Sequence, residues 1–540
     1  MTKRLFDKRW KKFAVLALSG VLTGMTLVFG QIGLIEWLTL IPLGLFLLSE
    51  ADKQEYRARG MYAYGFFYFL CFYVTSFHWF VNLYPLEFID GMTPLAAVAV
   101  VMAGVFGLSA LQAFFGGFAF VLIRAAFKTK LLSEKRILRP FAVAGIYTVY
   151  EWTQTLGWWG VPWARLPIGQ ARYEVGLQTA SILGSYFVTF MLLCFNMCIA
   201  YVLLEKSKLK LMSAIAASVL LVQYGLGTAL WLVPVDGEQT VKVAAVQGNI
   251  SSNEKWDSES KERTLEVYEK YTLQAAENGA EIVVWPETAL PYPVVENEKY
   301  GKYCSRIARK AGVTILVGGF TEHESGGESN SIICVLPDGS FHEKVYSKQR
   351  LVPFGEFVPM KGLFKVIIPP LAELVMSGDD VVAGEGAQVM DLPEASVGSL
   401  ICFDSLYEEL ARNSTIDGAQ IICLSTNDSW FTDSAALYIH NAQAQLRAIE
   451  NGRYIVRAAN TGISTVISSK GEVLEQLDPL VEGIVEYDVS VNTHKTPYTV
   501  IGNLFVFALG TAIALMLVYD IAVKLENKKL QKSIDKKDKL

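Results

Sequence analysis

The chain is poor in the residues that build metal centres and disulfide frameworks, with five histidines and seven cysteines among 540 residues. Cys71, Cys194, Cys198, Cys304, Cys334, Cys402 and Cys423 are odd in number and irregularly spaced, which argues against a paired disulfide framework and gives no zinc-ligand spacing. Cys194 and Cys198 lie in an apolar run and read as packing residues. His78, His323, His342, His440 and His494 form no ligand cluster along the chain, so neither a metal nor another cofactor is expected. Charge is also scarce: 19% of residues are charged against 52% hydrophobic. That balance is unusual for a soluble globular protein. The net charge of −5 gives no sign of a nucleic-acid partner, and there is no internal repeat.

Long apolar runs are plentiful, at roughly 12–30, 33–49, 61–84, 92–123, 140–157, 174–204, 210–233 and 499–523. A helix needs about 20 apolar residues to cross a bilayer. The first run reads as a span, because a second follows at once with no Ala-x-Ala-like cleavage site between them. The run at 140–157 is the weakest, since it contains Glu151. Basic residues collect at the N-terminus and in the loops at 50–60 and 124–139, after 204 and beyond 523, whereas 85–91 carries only Glu87 and Asp90. Cytoplasmic loops hold the Lys/Arg excess. The alternation therefore predicts a polytopic helical membrane domain of about eight spans with both ends in the cytoplasm. Seven spans fall within 1–234, an extracytoplasmic domain within 235–497, the last span within 498–523, and a basic tail at 524–540.

The polar segment reads as α/β. Short β-branched runs occur at Val241–Val246, Glu281–Trp285, Val313–Gly318, Ser331–Val335, Val397–Cys402, Ala419–Leu424 and Ser464–Ser468. Amphipathic stretches such as Lys261–Asn278 and Ser434–Glu450 separate several of them. This alternation predicts layered sheets with helices on their faces.

Three phrases in this segment carry chemistry. Cys402 ends the strand-like run Val397-Gly-Ser-Leu-Ile-Cys402 and precedes polar residues. At a strand-to-helix elbow, backbone N–H groups and a helix N-terminus favour the nucleophilic thiolate. Glu287 ends Ile282-Val-Val-Trp-Pro-Glu287, where a partly buried carboxylate can take a thiol proton. Lys348, in Tyr346-Ser-Lys348-Gln-Arg-Leu-Val-Pro353-Phe-Gly355-Glu356, offers a fixed cation to an oxyanion, together with the backbone N–H after the cysteine. Taken singly, each residue has an ordinary structural reading as a buried cysteine, a loop or capping glutamate and a surface lysine.

The order Glu287, Lys348, Cys402 resembles the nitrilase (carbon–nitrogen hydrolase) superfamily. With its apolar spans the whole chain is similar to the apolipoprotein N-acyltransferase family of bacterial inner membranes. Further matching phrases are Val246-Gln-Gly-Asn249, Lys255-Trp256-Asp257, Gly160-Val-Pro-Trp163, Thr426-Asn-Asp428-Ser-Trp430-Phe431 and Arg457-Ala-Ala-Asn460-Thr-Gly462-Ile-Ser. The resemblance implies an αββα sandwich domain, and an acyl chain passed from the sn-1 position of a phospholipid, typically phosphatidylethanolamine, through a Cys402 thioester. The acceptor would be the N-terminal amine of a diacylglyceryl apolipoprotein. It implies Glu287 as base, Lys348 as oxyanion stabiliser, Cys402 as nucleophile, Glu356 in support and Trp256 in substrate handling. The family's Tyr-Glu after the nucleophile is here Phe403-Asp404, which removes a hydroxyl and shortens the acid by one methylene. If that acid orients Lys348 or the incoming amine, its reach changes. A monomer is the default expectation.

Two other classes compete. A membrane-anchored amidase would use the same three residues with water as acceptor. A non-enzymatic scaffold or transporter subunit would tolerate loss of Cys402. Ser76, His78, Trp79, Glu151 and Trp152 inside the spans suggest more than an anchor, because polar groups in a bilayer are costly. The apolar stretch Leu363-Phe-Lys-Val-Ile-Ile-Pro-Pro, within 360–386, reads as a membrane-dipping lid over the acyl chain. Polar replacements of Phe364 and Ile367 should therefore slow acylation; unchanged lipid turnover in those variants would contradict the lid.

Overall fold

The computed structural model describes residues 6–54, 56–86, 92–251, 260–324, 326–367 and 381–537, without the side chains of Ser260, Phe364 and Ile367. Trp256 and the 368–380 part of the expected lid lie outside these residues. The described start of that stretch is the helix Lys361–Ile367, on which Val366 is 81% exposed.

In the polar segment, successive side chains of each strand point to opposite faces. The strands are β1 (Thr240–Gln247), β2 (Ile282–Val284), β3 (Thr314–Glu322), β4 (Glu328–Val335), β5 (Tyr346–Ser347), β6 (Met390–Asp391), β7 (Ser396–Ile401), β8 (Ile421–Thr426), β9 (Tyr454–Ala459), β10 (Thr465–Ile467), β11 (Val473–Gln476) and β12 (Gly483–Ser490). They form two six-stranded sheets, in the orders β12-β1-β2-β3-β4-β5 and β11-β10-β9-β8-β7-β6. Within them β1, β2 and β3 are parallel, as are β7, β8 and β9. Val243, Ala245, Ile282, Val284 and Leu316 of one sheet pack between the layers against Val397, Ile401, Ile421, Cys423 and Val456 of the other. The alternate residues Ala244, Val246, Val283 and Ile315 face the helices Ser260–Glu277 and Lys299–Ala311. The result is the αββα sandwich.

On the far side, Leu400, Ile422, Leu424 and Ile455 share one continuous apolar cluster with the helix Ala435–Asn451 and with membrane-domain residues such as Trp163, Leu166 and Leu177. The membrane domain thus docks on the helix layer of the second sheet. Buried within this junction, Arg165 meets Glu408 at 3.3 Å.

Among the described residues, six helices are long and apolar enough to cross a membrane: Arg9–Val28, Gly30–Glu50, Pro94–Phe127, Ser185–Leu204, Lys206–Leu232 and Leu504–Lys537. Two expected spans fall short of that description. The run at 61–84 is the helix Ala58–Ser76 followed by a 3-10 turn, His78–Leu83. The run at 140–157 is the helix Arg139–Thr153, whose 15 residues are too few to span the hydrocarbon core unaided. There Glu151 is a structural joint, accepting from Leu166 N at 3.0 Å and from the Thr189 hydroxyl. The expected span at 174–204 begins later, at Ser185, because Gly184 at φ 79° breaks the chain direction. The last helix runs past 523 to Lys537, so the basic tail continues it.

Candidate active site

The functional side chains gather where the parallel strands of both sheets end. Glu287 follows β2. The preceding Trp285 is fully buried, stacks on Tyr268 at 4.9 Å and bonds Thr272 at 3.0 Å. Gly318 on β3 lets the strand approach: a Cβ there would lie 2.0 Å from the Pro286 carbonyl. Lys348 follows the two-residue β5, with its N–H donated to Asn330 O on β4 at 2.8 Å.

Lys348 Nζ donates to Glu287 Oε1 and to Glu356 Oε1, both at 2.8 Å. Asn330 Nδ2 reaches the same two oxygens, at 2.8 and 3.3 Å. Asn427 N donates to Glu287 Oε2 and Val352 N to Glu356 Oε2, each at 2.8 Å. Lys348 is 1% exposed. Burial alone would push its ammonium pKa down, but Glu287 and Glu356 outweigh that and hold it well above the ordinary range. Lys348 is therefore held as a cation between two carboxylates.

Cys402 begins a short 3-10 turn, Cys402–Leu406, directly after β7, and its φ is 48°. A non-glycine residue in the left-handed region costs roughly 1–3 kcal/mol and persists only where its surroundings hold it. The sharp elbow presents a partly exposed side chain. The elbow was expected to favour thiolate. Instead, burial and the nearby Glu287 push the Cys402 thiol pKa well up, against the pull of Lys348. The direction of this shift favours the thiol over the thiolate.

Asp404 caps this elbow. Its carboxylate accepts from the Tyr346 hydroxyl at 2.8 Å, Arg350 N at 2.8 Å and Ile401 N at 3.1 Å. The shorter acid thus braces the backbone around the nucleophile. Burial pushes its pKa up to about 6, against Lys348 and those donors. Phe403 is buried, edge-on to Tyr407 at 5.5 Å, so its side chain serves packing.

Sequence reading missed Asn330, Ser405 and the partnership of His440 with Asp428. Asn330 was detectable only as a polar residue inside a buried strand. His440, counted as unclustered, lies with its partners in one group: Cys402, Asp428 and His440 each have a potential metal-ligand atom within 4.8 Å of the others'. Those donors are otherwise committed. Asp428 bonds both His440 Nδ1 at 2.9 Å and Arg457, and burial is outweighed by Arg457 and His440, which hold its carboxyl well below the usual range. A guanidinium on the same carboxylate suits a hydrogen-bond relay better than a cation. The Arg457–Ser464 phrase is explained here too. A Cβ at Gly462 would lie 2.5 Å from Asp428 Oδ2, and Asn460 Nδ2 bonds Ile250 O at 2.6 Å beyond β1.

Two family models match the chain: the apolipoprotein N-acyltransferase N-terminal domain over residues 19–198, and carbon-nitrogen hydrolase over 242–497. The apolipoprotein N-acyltransferase of Nitrosomonas europaea is 30% identical over 376 residues, covering 68% of this chain and 72% of its own. This chain belongs to the apolipoprotein N-acyltransferase family. The Geobacter metallireducens relative of that name is 28% identical over 526 residues, covering 94% of this chain and 95% of its own. The Gloeobacter violaceus relative is 28% identical over 489 residues, covering 90% and 89%. Among solved structures, yeast Nit3 of the nitrilase superfamily aligns with 48% of this chain and 92% of its own, at 18% identity and a TM-score of 0.38. The chain is accordingly an acyltransferase of lipoprotein N-acylation and a multi-pass bacterial membrane protein.

Protonating Asp404 forfeits one of its three accepted bonds and loosens the elbow. Acylation should fall as pH drops through about 6, where this carboxyl titrates. Asp404→Asn should lose that acid limb. A wild-type profile flat down to pH ~5 would contradict the bracing role.

Proposed function

We propose that the chain transfers an acyl group from the sn-1 position of a phospholipid, such as phosphatidylethanolamine, to the N-terminal α-amine of S-diacylglyceryl-cysteine on apolipoproteins. Glu287 takes the Cys402 proton as Sγ attacks the ester carbonyl. The oxyanion forms beside Lys348 Nζ and the Phe403 N–H. Its collapse breaks the ester C–O bond, and the proton on Glu287 leaves with the lysophospholipid oxygen. In the second half, the acceptor amine attacks the thioester and Glu287 takes its proton. The C–S bond then breaks and the proton returns to sulfur. Glu356 keeps Lys348 in place throughout, and Trp256 meets the substrate.

The observation that carries this reading is Lys348 pinned between Glu287 and Glu356 beside a thiol whose pKa burial and Glu287 push up. A cation cannot act as the base; of the two carboxylates on it, Glu287 is the one whose charge acts on the Cys402 thiol. The distribution of basic loops supports an extracytoplasmic domain at 235–497 with both termini in the cytoplasm. One chain supplies all the named groups, so a monomer suffices.

Intact-protein mass spectrometry after mixing with phosphatidylethanolamine vesicles tests this. The expected result is a hydroxylamine-labile gain of one acyl chain, absent in Cys402→Ala and discharged by a diacylglyceryl-cysteine peptide. No adduct on folded protein, or loss to free fatty acid at a rate indifferent to the peptide, would contradict it.

A further inference from the structure

The peptide after Cys402 is held by side chains that the reaction scheme leaves unused. Ser405 Oγ donates to the Cys402 carbonyl at 2.8 Å. His440 Nε2 lies 3.1 Å from that carbonyl and 3.0 Å from Ser405 Oγ. On the ring's other side, Nδ1 rests 2.9 Å from Asp428 Oδ1, and Arg457 grips the second oxygen of that carboxylate. A carbonyl and an ionised carboxylate only accept, so with the Ser405 hydrogen spent on the carbonyl these contacts call for an N–H at Nε2 and another at Nδ1. All four side chains are buried. Trp163, from the membrane domain's Gly160–Trp163 phrase, lies against the His440 ring at 5.3 Å and 39°. Trp79 and Phe431 pack on Trp163 at 5.1 and 6.0 Å.

We propose that His440 is a positioning residue: by holding the Cys402 carbonyl, it fixes the direction of the Phe403 N–H, the backbone donor to the oxyanion. The peptide unit is planar and trans, so its C=O and N–H point in opposite directions and cannot be turned separately. Fixing the carbonyl on the His440 and Ser405 side therefore aims the N–H to the other side. The same clamp helps hold Cys402 at φ 48°, a conformation a non-glycine residue does not keep unaided. Because Trp163 packs on the ring, the membrane domain abuts the element that sets this donor. The inference rests on the acyl-transfer reading above.

The test is single-turnover S-acylation by phosphatidylethanolamine vesicles with the full-length protein, wild type in parallel. Losing an oxyanion donor typically slows catalysis by 10²–10³. His440→Ala should acylate about a hundredfold more slowly at saturating lipid, with the half-saturating lipid concentration unchanged. His440→Gln, which keeps an N–H near the Nε2 position, should recover to within about tenfold of wild type. A rate near wild type for folded His440→Ala, or a His440→Gln as slow as His440→Ala, would overturn the proposal. If His440→Ala does not fold, Ser405→Ala removes the other donor to the same carbonyl with the loss of one oxygen. Roughly tenfold slower acylation supports the proposal and an unchanged rate overturns it. A wild-type protein that forms no adduct would instead refute the acyl-transfer reading itself.

Discussion

The site depends on one buried ion triad, the Lys348 ammonium held between the Glu287 and Glu356 carboxylates. Taking a charge out of water is tolerable only with partners in good geometry, and removing one partner of a buried pair typically costs about 3–5 kcal/mol. Here the partners come from separate elements. Glu287 sits after β2, Lys348 after β5 and Glu356 in the loop that follows, while Asn330 on β4 ties both carboxylates together. The sandwich is thereby pinned at the mouth where its parallel strands end. The same arrangement sets the local charge: a buried cation, two carboxylates on it, and a thiol whose pKa burial and Glu287 push up.

Strain and bracing complete the arrangement. Cys402 turns sharply at the end of β7, and the turn is held from two directions. Asp404 gathers donors from Tyr346, Arg350 and Ile401 on one side. Ser405 and His440 hold the Cys402 carbonyl on the other. The membrane domain leans on this second brace through Trp163 and is bonded to the catalytic domain through Arg165 and Glu408. The membrane domain is thus packed into the frame of the nucleophile as well as supplying helices that suit a bilayer.

Much of this was legible in the sequence, and what was not has physical reasons. Glu287 and Cys402 end apolar runs that fold as β2 and β7, so their placement followed from periodicity. β9 and β12 were not read as strands. Arg457 interrupts the apolar pattern of the first, and Glu486 and Asp488 that of the second, which pairs β1 at the sheet's edge. The direction of the thiol's pKa shift was not legible, because it is set by burial and by Glu287 and Lys348, which are far from Cys402 in sequence. His440 sits 38 residues from Cys402, so only the fold reveals their contact. Of the two runs outside the six long apolar helices, only Arg139–Thr153 is short, at 15 residues; Ala58–Ser76 has 19 and differs in its polar and tyrosine content.

The central claim is that Glu287 and Lys348 act on the Cys402 thiol in opposite directions. Alkylation of Cys402 by iodoacetamide at about pH 8, without lipid, tests this most directly, because only the thiolate reacts appreciably. Glu287→Gln should alkylate faster than wild type, since the carboxylate holds the proton on sulfur, even though the variant can no longer be acylated by lipid. Lys348→Met should alkylate more slowly. Slower alkylation of a folded Glu287→Gln protein would contradict the account.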